Sequence, residues 1–205
     1  MAIVGLSTLK EYLPELSGST GADTELTNLL VRVESVVARY LGYPSFDGSL
    51  KPVLDQQTYT VYVDSPTRYD LYTLQLSIAP IVSITSIHAD SGRQYSSSSL
   101  IDSSTYSFSS SLGRVFLNPN TATQVFDDGY RANKVILVSG YTSGTAPDDL
   151  IHAICVWASQ LHRNKATQGK DSISQSNSTV KISAKSMPYE IKEYLNVLRL
   201  PGLAL

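Results

Sequence analysis

Residues 134–165 read KVILVSGYTSGTAPDDLIHAICVWASQLHRNK, and the hydrophobic period changes part-way along them. Lys134 to Ser139 is a short apolar, β-branched run of strand length. A polar, glycine-bearing loop follows from Gly140. Pro147, Asp148 and Asp149 then combine a fixed φ with two carboxylates, which suits the positive end of a helix. Leu150, Ile151, Ile154, Trp157, Ala158 and Leu161 recur at spacings of three and four, the buried face of a helix running to about Lys165. Sheet gives way to helix here, and the rest of the chain is read outward from this junction.

Upstream, the N-terminal segment is helical. Thr8 and Glu11 have capping-box spacing, which predicts a short helix from about Ser7 to Leu13, stopped at Pro14. Thr20 with Asp23 opens a longer helix that ends near Gly42 and Pro44. Its stripe is Leu26, Leu29, Leu30, Val33, Val37, Tyr40 and Leu41, with Arg32, Glu34 and Arg39 expected on the other face. A helix of this kind is marginal alone in water, so its stripe is expected to pack on the Leu150–Leu161 face. Between Leu54 and Tyr141 the period is two. Strands are predicted around Tyr59–Val63, Leu71–Leu76, Ile81–His88, Tyr106–Phe108, Arg114–Leu117 and Lys134–Tyr141. The Asp64-Ser65-Pro66 and Asp90-Ser91-Gly92 sequences read as turns, and Asp127-Asp128-Gly129 as a hairpin signal. Such short, evenly spaced strands suggest a small sandwich or barrel-like sheet.

Downstream, residues 166–186 are polar and serine-rich, unpatterned except for Thr179 to Ile182, and read as a flexible arm. Pro188 starts a last helix with Ile191, Tyr194, Leu195 and Leu198 on one face. The fold class is therefore α+β. A small α-helical bundle is built from residues 1–50 and 146–205, with a β-rich insertion at 51–145.

Composition narrows the function. The 205 residues are 42% hydrophobic and 17% charged, enough for a core and inconsistent with a disordered chain. A net charge of −2 gives no overall basic field to hold nucleic acid by its phosphates. A single cysteine makes neither an internal disulfide nor a cysteine-based zinc site. The start, MAIVGLSTLKEYLPEL, lacks a basic n-region, so the chain is expected to assemble in a reducing cytoplasm. Tyr outnumbers Phe 13 to 4, a usage suited to β-rich surfaces and assembly interfaces.

No catalytic constellation emerges. Gly140-Tyr141-Thr142-Ser143-Gly144 follows a strand as a nucleophile elbow would, yet Thr142 stands where the serine belongs and the helix starts too late. Asp148 and His152, imagined as partners of Thr142 or Ser143, are one turn apart on one helix, and Asp148 already suits the helix start. His152 and His162 are too far apart to share a metal ion, and His88 with Asp90 marks a turn. Cys155 and Trp157 read as core. No phosphate-binding glycine loop and no cofactor site is expected.

Charge is unevenly placed. Residues 163–205 carry seven basic and three acidic side chains, a net +4 within a chain of net −2. A solvated tail accounts for this, and so does a basic arm that docks on an acidic partner surface.

The order of motifs resembles the head–tail connector (adaptor) proteins of tailed bacteriophages. LSTLKEYL followed by TGADTELTNLLVRVESVVARYLGYP is similar to the family's opening helix pair. APIVSITSI, GRVFL and KVILVSGYTSGTAPDDLIHAICVWASQLHRNK resemble its β insertion and third helix, and MPYEIKEYLNVLRLPG its closing helix. The resemblance implies a structural virion protein and no enzyme. It implies a dodecameric ring of identical subunits below the portal at the head–tail interface, with no membrane association. Such a ring extends the DNA channel without sequence-specific binding and offers a platform for the next head-completion or tail protein. A stopper, a tail terminator or a carbohydrate-binding β module are the alternatives. The portal contact is expected from Lys181, Lys185, Tyr189, Tyr194, Leu198, Arg199, Leu200, Leu203 and Leu205. Their basic and leucine-rich character, reached through the serine-rich arm, suits a segment that swings to a partner.

Overall fold

The helices and strands follow one another as α1 (Leu6–Glu11), α2 (Asp23–Leu41), β1 (Gln57–Val63), β2 (Thr73–Gln75), β3 (Ile81–Ala89), β4 (Tyr106–Ser109), β5 (Arg114–Leu117), β6 (Asn133–Ser139), α3 (Asp148–Arg163), β7 (Ser172–Gln175), β8 (Ser178–Lys181) and α4 (Tyr189–Asn196). The structure is a computed structural model that describes residues 2–43, 52–64, 71–167, 172–175, 178–181 and 187–199. Two units form: Met1–Leu41 with Ser143–Arg199, and Gly42–Thr142. The architecture is α+β, with helices from both ends of the chain and antiparallel sheets from its middle.

In the helical unit, α2 buries Leu26, Leu30, Val33, Val37 and Leu41, and α3 buries Leu150, Ala153, Ile154, Trp157 and Ala158. These are the stripes that the spacing predicts, except that Leu29, Tyr40, Ile151 and Leu161 stay half-exposed. Leu9 and Leu13 add the N-terminal helix to the same core. Glu34 does not lie on the outer polar face expected of it; it is 6% exposed. The predicted capping box at Thr8 does not form either. Helix α1 starts after Gly5 with no side-chain cap, so Thr8 is already inside the helix. Pro147 precedes α3, with Asp148 and Asp149 in the first turn. The expected arm contains a two-stranded hairpin, β7 with β8, in the register Ser172↔Lys181 to Gln175↔Ser178. Strand β8 falls on the one patterned stretch of the arm, Thr179 to Ile182, whereas the polar β7 sequence Ser172–Gln175, with one apolar residue, gives a sequence reading little to catch.

The β unit has two three-stranded antiparallel sheets, ordered β1-β6-β3 and β2-β5-β4. In the first, Val135 and Leu137 of β6 pair Val61 and Tyr59 of β1, and also Ile87 and Ile84 of β3. Val135, Leu137, Ile81 and Ile87 turn one face inward, where Leu74, Leu76, Ile78, Val115, Leu117 and Phe126 complete the core. The Asp127-Asp128-Gly129 turn does not make a hairpin. Strand β5 pairs with β2 and β4, while β6 pairs with β1 and β3, so the turn joins two different sheets. Its sequence is used otherwise: the Asp127 carboxylate accepts the Ser91 amide at 2.7 Å, and the Asp127 amide donates to buried Asn133 at 3.1 Å.

Gly140 ends β6 at φ 112°, and a Cβ there would lie 2.6 Å from the Asp55 carbonyl oxygen. The close approach lets Tyr141 donate its amide to Leu54 at 2.8 Å and accept the Gln56 amide at 3.1 Å. Gly140→Ala should therefore lower the stability of the β unit by about 2 kcal/mol. Urea unfolding followed by tyrosine fluorescence checks this, and an unchanged midpoint refutes it.

Candidate assembly surfaces

The helical unit is fixed by polar ties at both ends of the α2–α3 pair. Near the start of α2, Lys10 meets Asp23 at 2.6 Å and Lys165 meets Glu25 at 2.7 Å. Arg163 reaches Glu15 at 3.0 Å and donates to the Tyr12 carbonyl at 2.9 Å. The hydrogen bonds from Arg163 and Lys165 hold the Glu15 and Glu25 carboxyls below the usual range. Because those values are lowered on folding, the pairs contribute above the unfolded carboxylate range and lose that contribution as pH falls through it. Solvent exposure keeps the contribution small and salt-sensitive.

At the other end, the Tyr40 hydroxyl donates to Asn196 at 2.7 Å, and the Arg199 guanidinium lies 5.1 Å from the centre of the Tyr40 ring. His152 of α3 hydrogen-bonds the Tyr12 hydroxyl through Nδ1 at 2.9 Å and meets the Tyr194 ring edge-on at 5.4 Å. Met187, Ile191 and Leu195 are buried. Helix α4 is thus a packed part of the bundle, and the expectation of a segment that swings out does not hold for it. Its buried face sits on the core, so removing residues 187–205 would expose that core rather than release a free arm.

The expected partner-binding residues divide accordingly. Tyr189 is 74% exposed and Tyr194 is exposed beside His152. Leu198 is half-buried, and Arg199 is stacked on Tyr40. Lys181 pairs with Ser172 in the β7–β8 hairpin. Lys185, Leu200, Leu203 and Leu205 lie outside the described residues.

Two surface features were not legible in the sequence. A groove of about 580 Å³ runs between α2 and α3, lined by Thr24, Glu25, Asn28, Arg32, His162 and Lys165 over Leu29 and Leu161. In the β unit, the Arg131 guanidinium lies 4.0 Å from the Tyr62 ring centre, and the Tyr62 and Tyr95 rings are 5.7 Å apart. Lys134 Nζ lies 5.3 Å from the Tyr95 ring centre. Asp90 accepts the amides of Gly92, Gln94 and Tyr95, which folds this loop back onto the sheet end.

The residues weighed for chemistry have other duties. His88 Nδ1 lies 3.2 Å from both Ser96 O and Ser99 Oγ, a tie between strand and loop. Thr142, Asp148 and Asp149 are exposed. Among the described residues, no three His, Cys, Asp or Glu side chains gather as a metal site would need. No described helix is long and apolar enough to cross a membrane. Burial, with Glu11 and Glu34 adding to it, pushes the Cys155 thiol up to about 12. Iodoacetamide at pH 8 should therefore label Cys155 more than ~100-fold more slowly in the folded protein than in denaturant. Comparable rates would place the thiol at the surface.

No protein-family model and no curated protein matches the sequence. Solved structures do share the fold. A chain of the neck of a native gene transfer agent particle, computed with C12 symmetry, aligns over 97% of this chain and 92% of its own, with a TM-score of 0.54 and 13% identity. A chain from the neck of the empty particle, computed with C6 symmetry, aligns over 96% and 90%, also at 0.54 and 13%. A third, from the virion of the native particle, covers 89% and 80% at 0.52 and 13%. The likeness is one of fold, helices and sheets together.

Proposed function

We propose that this chain is a structural virion protein of the head–tail neck, an adaptor whose copies close a ring beneath the portal. Such a ring extends the DNA channel and presents a platform to the next head-completion or tail protein, without catalysis. The observation that carries this reading is the fold shared with gene transfer agent neck chains along nearly the whole length of both partners. The order of motifs along the sequence supports the adaptor position in particular. The symmetry of those necks fits a closed ring of identical subunits.

In this reading Lys181, Lys185, Leu200, Leu203 and Leu205 carry the portal contact. Tyr189 and Tyr194 belong to the assembly surface of α4, while Leu198 and Arg199 act by holding the end of α4 against the bundle. Negative-stain images of purified portal mixed with the protein should show one added layer. A stopper or tail terminator would leave the portal bare, and so would a carbohydrate-binding module. Removing residues 200–205 spares the α4 core and should abolish the added layer. A layer of unchanged occupancy after that truncation would exclude the C-terminal contact.

A further inference from the structure

Helix α4 presents Glu190, Glu193, Tyr194 and Val197 at spacings of three, four and seven residues, which is one helical face. All four are exposed, Val197 at 82%. The opposite face, Ile191 and Leu195, is the buried one. The outer stripe is therefore acidic, with an apolar residue and an aromatic ring inside it, and neither glutamate has an ion-pair partner among the described residues. The aromatic ring and the apolar side chain suit the middle of an interface, and the two glutamates suit a partner surface of opposite charge.

The groove between α2 and α3 has the complementary character. Arg32 makes no hydrogen bond or ion pair among the described residues. Lys165 shares the groove and is matched by Glu25, so Arg32 leaves it net positive. Buried Nδ1 of His162 has no hydrogen-bond partner, with Glu25 Oε1 held off at 3.8 Å. An incoming carboxylate would compensate the exposed guanidinium of Arg32 at the mouth of this groove. Leu29 and Leu161 supply an apolar floor for a residue such as Val197.

These two surfaces do not meet within one subunit. Helix α4 is tied to α2 at Tyr40, while the α2 side of the groove runs from Thr24 to Arg32, about 12 to 24 Å away along the α2 axis. Within the stripe, Glu190, Glu193 and Val197 face solvent, while Tyr194 borders the bundle with its ring edge-on to His152. Complementary surfaces at opposite ends of a helix pair make a heterologous contact, which repeats from copy to copy.

We infer that the α2–α3 groove of one subunit receives the Glu190–Val197 stripe of α4 from a second copy of this chain. The inference rests on the ring reading above and supplies the contact that would build the ring. Sedimentation of the full chain over a concentration series tests it. The wild type should self-associate. Glu190→Lys/Glu193→Lys should weaken association by roughly tenfold or more, and Arg32→Glu should do the same, each with an unchanged melting temperature because the positions are exposed. All three substitutions combined in one chain should restore association to within about threefold of wild type.

A chain that stays monomeric, single reversals without effect, or a combination no better than its parents would each overturn the contact. The portal images decide the adaptor reading separately. An added layer with charge-insensitive self-association removes this contact and keeps the adaptor. Rescued self-association with no added layer keeps the contact and removes the adaptor.

Discussion

Ile154→Asp should abolish the cooperative melting of the helical unit, and Leu30→Asp should do the same. Ile154 is fully buried on α3 and Leu30 is 1% exposed on α2, so each substitution places a carboxylate in the packed seam between the two helices. The loss has two parts. The seam forfeits the transfer free energy of a large aliphatic side chain, about 2 kcal/mol. A charge without a buried partner then costs several kcal/mol more, or forces the carboxyl to stay protonated at neutral pH. Together these approach the whole stability of a domain of this size. The measurement is circular dichroism at 222 nm with temperature. The α2 and α3 helices should lose their sigmoidal transition while Ile154→Val keeps it, lower by about 1 kcal/mol. An Ile154→Asp protein that melts like the wild type would mean that α2 and α3 do not pair as described.

That pairing was the most legible part of the fold, because two long stripes of period 3.6 sit at opposite ends of the sequence and neither is stable alone. Strand positions were legible for a related reason, with Tyr59, Val61 and Val63 alternating against Thr60, Tyr62 and Asp64, and Val135 and Leu137 lying in a short apolar run of strand length. Strand partners were not. Alternation records which face of a strand is buried and nothing of which strand lies beside it, so Asp127-Asp128-Gly129 suggested a hairpin between strands that belong to different sheets. The candidate surfaces were legible only in part. Exposed Tyr189 and Tyr194 stood out through their place on an amphipathic helix, whereas the groove draws on Thr24 to Arg32 and Leu161 to Lys165, far apart in sequence. Charge character misled at one position, since a glutamate in a helix is far more often solvated than buried.

That position is Glu34, and its replacement by alanine should lower the stability of the helical unit by about 3 kcal/mol. Its carboxylate accepts the backbone amides of Ile3 at 3.2 Å and Val4 at 2.9 Å, and both of those residues are buried. Amides in the segment before α1 have no helical carbonyl to bond, so a side chain from α2 does the work that a turn of helix would do. Alanine would leave two buried donors without an acceptor and a small void beside Ile3 and Val4. Glutamine keeps one acceptor oxygen and loses the charge, so Glu34→Gln should cost about 1 kcal/mol. Amide exchange separates this tie from a general loosening of the bundle. In the wild type the Ile3 and Val4 amides should be protected. In Glu34→Ala they should exchange by local opening, while amides in the middle of α2 keep protection up to the reduced global stability. Chain melting should drop by more than ~10 °C for alanine and by about a third as much for glutamine. If both amides exchange freely in the wild type, the carboxylate does not hold them, and Glu34 would be a buried charge whose compensation comes from elsewhere in the bundle.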